Sequence, residues 1–136
     1  MMNAQKSIKT SSQIYIGFCI LSLGYVALLS LISPQSTMDL VATTLPNTDA
    51  ISSIRGIYGG VGLVITLQLI YFLAKDIHKG LWFLSLFWGA YAISRLITRF
   101  NDGPLGNFGN QWIVIESCFC VMAVVLIALN NKYNKV

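Results

Sequence analysis

Ser53-Ile54-Arg55-Gly56-Ile57-Tyr58-Gly59-Gly60-Val61-Gly62 opens an apolar run that continues to Ala74. Arg55 is the only charged residue between Ile51 and Ala74. A helix that crosses a membrane needs roughly 20 apolar residues at about 1.5 Å of rise each. The run therefore reads as a spanning helix over residues 51–74, with Ser52 or Ser53 as its N-cap. An arginine, a tyrosine and four glycines near its start set it apart from an ordinary lipid-facing helix.

The rest of the chain repeats the apolar pattern. Of 136 residues, 55% are hydrophobic and 10% charged, with mean hydropathy +0.67. Soluble domains carry about 25% charged residues, so a chain this short cannot hide its apolar surface in a soluble core. Charge-poor runs predict further spanning helices over residues 13–33, 81–99 and 111–129. The expectation is an all-α, integral membrane four-helix bundle of antiparallel up-down topology, forming one domain over residues 1–136. Met1 to Ser12 is polar and reads as loosely ordered. The first apolar run is too long for a signal-peptide core of about 7–15 residues. Residues 34–50 read as a loop or a short surface helix, Lys75 to Gly80 as a tight turn, and Asn101-Asp102-Gly103-Pro104 as a helix stop.

The net charge is +4, and its placement points to topology. Lys6 and Lys9, Lys75 and Lys79, and Lys132 and Lys135 fall in three segments that four helices bring to one side. The other two connections hold Asp39, Asp49 and Asp102 and no lysine. The positive-inside rule then places both termini in the cytoplasm. The interleaved basic and aromatic residues of a nucleic-acid surface are absent. Cys19, Cys118 and Cys120 form no Cys-x-x-Cys pair. His78 has no partner at ligand spacing, so neither a metal nor a cofactor is expected.

Placed by depth, the remaining charges gather in the outer half of the bundle. Arg55 is near the start of the second helix, Arg95 and Arg99 end the third, Asp102 follows, and Glu116 is in the fourth. Ionisable groups in spanning segments face the interior and pair, so Glu116 is expected to pair with Arg55 or Arg95. Three arginines against two acids favour a lipid headgroup or small anion as ligand. A purely structural lock and an ion or proton path are the competing readings. Ser52, Gly56 and Gly60 recur every four residues, and with Gly59 and Gly62 they predict a seam for close helix packing. Gly24 and Gly89 are candidates to receive it. The spacing does not form a G-x-G-x-x-G phosphate loop.

The block Arg55-Gly56-Ile57-Tyr58-Gly59-Gly60-Val61-Gly62, followed by Ser94-Arg95, Asp102-Gly103-Pro104 and Glu116, resembles the DUF4345 family of small bacterial membrane proteins. The resemblance covers nearly the whole chain and departs at Ser94, where glycine is typical. It implies a four-helix membrane protein of unknown function and singles out Arg55, Tyr58, Arg95, Asp102 and Glu116. Three functions follow as expectations. The first is a binding or accessory protein, alone, as a homo-oligomer or in a membrane complex. The second is a membrane enzyme on a lipid-like substrate with Glu116 as acid/base. The third is a small transporter.

Overall fold

A computed structural model describes residues 2–133. Lys135, counted above with the carboxyl-terminal lysines, lies outside the described residues. The elements are α1 (Met2–Ile32), α2 (Pro34–Asp39), α3 (Thr48–Ile54), a π-helical stretch (Arg55–Val61), α4 (Gly62–Lys75), α5 (Ile77–Asn101) and α6 (Asn107–Tyr133). No strand occurs among the described residues. Four helical segments, 3–32, 48–75, 77–101 and 107–133, are long and apolar enough to cross a membrane. Only 17% to 33% of each apolar window is buried within the chain. Leu21, Val64, Leu86 and Val121 are among the side chains that face outward. Such faces suit a lipid solvent, where exposure of apolar surface costs nothing.

Each helix begins earlier than its apolar run. Residues 2–12 are helical rather than loosely ordered, and Met1 lies outside the described residues. They contain no glycine or proline to stop a helix, and Gln5 and Ser12 make specific contacts described below. The second spanning helix starts at Thr48, not Ile51, and its cap is Asn47 rather than Ser52 or Ser53. The Asn47 side-chain oxygen Oδ1 accepts from the Ala50 N–H at 2.8 Å. Lys75 to Gly80 is not a six-residue turn. Asp76 alone separates α4 from α5, accepting the Lys79 N–H at 3.0 Å as N-cap, and Gly80 is buried inside α5. Residues 34–50 contain α2, started by Pro34 at a position where its missing N–H costs no bond.

Two compact units divide the chain: one takes the residues up to Ile16 and those from Lys75 onward, the other Gly17–Ala74. In the first unit, α5 and α6 form an antiparallel hairpin. Arg95 meets Glu116, and Gly89 and Ser85 meet Cys120, so positions rise on one helix as they fall on the other. The start of α1 runs antiparallel to α6. The Tyr15 hydroxyl donates to the Phe119 carbonyl at 2.8 Å, Asn130 to the Ser12 hydroxyl at 3.1 Å, and the Gln5 amide to the Tyr133 carbonyl.

In the second unit, α1 packs antiparallel against the π stretch and α4. A Cβ at Gly59 would lie 2.7 Å from Leu31 Cγ, one at Gly62 3.1 Å from Ala27 Cβ, and one at Gly24 3.3 Å from Thr66 Cγ2. The seam thus runs through Gly59, Gly62 and Thr66. At Gly56 and Gly60 an added Cβ meets nothing within 4 Å, and Ser52 is exposed. The wider turns from Arg55 to Val61 explain the difference, because a four-residue repeat keeps one face only while the helix remains α. Ser30 and Thr37, both buried, satisfy each other at 2.8 Å where α1 meets α2.

Candidate functional site

Arg95 sits on α5 six residues before its end, and Glu116 on α6 nine residues after its start. The guanidinium and carboxylate meet as a two-pronged fork. Arg95 Nε donates to Oε2 at 2.7 Å, and Nη2 donates to Oε1 at 2.9 Å. Paired charged hydrogen bonds of this kind are short and directional. The Glu116 side chain is 2% exposed and that of Arg95 20%. The Phe108 ring lies 5.6 Å from Arg95 Cζ and covers the cation.

The fork leaves donors in hand. A guanidinium carries five N–H groups, and two go to Glu116. The other three have no acceptor among the described residues. Arg99, one helical turn on along the same face of α5, is exposed and makes no ion pair among the described residues. Asp102 is exposed at the α5 cap, where its own N–H reaches the Thr98 carbonyl at 2.8 Å. Gly103 follows with φ 113°, a conformation that admits glycine with little strain.

Below the fork, α5 and α6 are lined with aromatic and small side chains. The Trp88 and Phe119 rings are 5.1 Å apart. The Trp88 indole N–H is buried without an acceptor among the described residues. Cys120 donates to the Ser85 carbonyl at 3.3 Å and lies 3.4 Å from the position of a Cβ at Gly89. Gly89 is thus a point of close approach.

Arg55 and Tyr58 belong to the second unit. Arg55 is exposed, and its Nε donates to the Leu31 carbonyl at 3.0 Å. Leu31 is in the last turn of α1, where carbonyls lack helical partners, so Arg55 serves as a cap for that helix end. Tyr58 is 36% exposed and lies on the π stretch. Of the two partners offered for Glu116, the structure selects Arg95. The Leu31 carbonyl and the Phe108 ring were missed from the sequence. A backbone acceptor leaves no residue signature, and Phe108 reads as one more interfacial aromatic.

Among the described residues no three His, Cys, Asp or Glu side chains are grouped to hold a metal. No curated protein and no solved structure matches the chain. One family model, described as a domain of unknown function, matches residues 11–127 and so includes every arginine and Glu116. That span is most of the chain, which therefore belongs to the DUF4345 family.

Proposed function

We propose that the chain is an integral protein of the bacterial cytoplasmic membrane that holds a lipid headgroup or small anion at Arg95 and Arg99. The lysine-bearing end faces the cytoplasm in this reading, and the arginine-bearing end the outer leaflet. The observation that carries it is the uncompensated donor capacity of α5. Glu116 neutralises Arg95 yet leaves three of its N–H groups without acceptors among the described residues, and Arg99 adds a full charge one turn away. Glu116 acts as a fixed counter-ion that orients the guanidinium. Such a site suits a binding protein or an accessory subunit of a larger membrane complex.

The acid/base reading for Glu116 has less support, because both its oxygens are held by Arg95 and the side chain is 2% exposed. The test is Arg99→Gln, which removes the free charge without disturbing the fork. The variant is purified in mild detergent beside the parent, and bound phospholipid is quantified. The expected result is an unchanged unfolding temperature with loss of most tightly held anionic lipid. Equal lipid content in two equally stable proteins contradicts the proposal.

A further inference from the structure

The first unit has a second polar end. It lies about 25 Å along α5 from Arg95, by helical rise over the residues from His78. A cavity of about 560 Å³ opens there, within the size range of small-ligand sites. Its polar lining is Gln5, Lys6 and Lys9 from α1, His78 from α5, and Asn130 and Tyr133 from α6. Among the described residues no carboxylate lines it. Lys6 and Lys9 are exposed, three residues apart on one face, and make no ion pair among the described residues. Asp76, the nearby acid, is engaged by Lys79 at 3.2 Å.

Three further details make the cavity favourable to negative charge. The start of α5 lies in its wall, and beside the Asp76 cap, which takes the Lys79 N–H, the N–H groups of Ile77 and His78 have no acceptor among the described residues and are two further donors. His78 Nε2 accepts from the Trp82 indole at 3.1 Å, which puts the imidazole proton on Nδ1 as a further donor. Gln5 occupies the Tyr133 carbonyl at the end of α6, removing an acceptor that would repel an anion. Ile8 and Ile77 supply an apolar edge. Trp82, half exposed, and Tyr133 mark the boundary of the apolar zone.

We infer that this cavity binds a phosphate ester. Basic pockets between spanning helices hold phosphorylated lipid headgroups in this manner, and a soluble phosphate ester offers the same chemistry. Ile77 and His78 lie within the span that the family model matches, and the rest of the lining lies outside it.

The experiment uses the full chain in phosphatidylcholine nanodiscs with a photoreactive phosphatidic acid, and crosslinked peptides are mapped by mass spectrometry. Crosslinks are expected at the start of α1 and the start of α5. They are expected to fall about tenfold or more in Lys6→Gln/Lys9→Gln and by less in Lys9→Gln alone, with helicity unchanged by circular dichroism. Inorganic phosphate is then added as competitor. Crosslinks that persist assign the site to a lipid headgroup, and crosslinks that vanish assign it to a soluble phosphate ester. Labelling that is unchanged in the double variant overturns the proposal. Equal labelling at these positions by a photoreactive diacylglycerol, which lacks phosphate, overturns it as well.

Discussion

Glu116 has one arginine on both of its oxygens and almost no exposure. Removing one partner of such a pair strands the other charge in an apolar setting, at a cost of about 3–5 kcal/mol, whereas replacing both with apolar residues is often close to neutral. Glu116→Gln is therefore expected to lower unfolding stability in detergent strongly, and Arg95→Met/Glu116→Leu to recover most of the loss. A double variant less stable than the single one contradicts this account of the fork. The glycines give a second contrast at the same scale. Gly59→Ala is expected to cost about 1–3 kcal/mol through overpacking against Leu31. Gly56→Ala, with open space around it, is expected to leave the same unfolding curve nearly unmoved. A charge inside an apolar run is conspicuous and must find a partner, so Glu116 and its arginine candidates were legible in the sequence. The partner of Arg55 was not, because a carbonyl at a helix end has no letter of its own.

At the scale of elements, apolar runs locate the stretches that suit hydrocarbon but not the helix ends. Those depend on caps and on the absence of breakers, which is why the helix of α1 includes the polar residues 2–12 and α5 starts at Ile77. The π stretch was equally hidden, since Arg-Gly-Ile-Tyr-Gly-Gly-Val is compatible with an α-helix and the wider turn is set by packing. Asp76 offers a direct check. The Lys79 backbone N–H, then the Lys79 side chain, holds its carboxyl below the ordinary range. A depressed carboxyl stabilises the folded form above its unfolded value, and that contribution disappears as pH falls through the folded value. Acidification below the ordinary carboxylate range is thus expected to speed amide exchange at Lys79 and Gly80, and Asp76→Asn to remove that pH response. Exchange there that ignores pH in the native protein, after correction for intrinsic rates, contradicts the cap.

At the scale of the whole molecule, four membrane-length helices and the all-α class were legible in the four charge-poor apolar runs, because a chain this short and apolar has too little core to bury them. The asymmetry of lysines predicts that cysteines introduced at Ser7 and at Lys132 react with a membrane-impermeant thiol reagent only from the cytoplasmic face. Labelling of either from outside the cell contradicts that orientation. What composition could not supply is the proposed binding chemistry, which depends on where three arginines find their acceptors. Solid-state NMR tests it directly, with guanidinium carbons labelled in all three arginines and their dipolar coupling measured to lipid phosphorus. The account predicts strong coupling at Arg99 and measurable coupling at Arg95 in membranes that contain anionic phospholipid. Absence of coupling at Arg99, in a protein that keeps the Arg95–Glu116 fork, would contradict the proposed lipid-headgroup site.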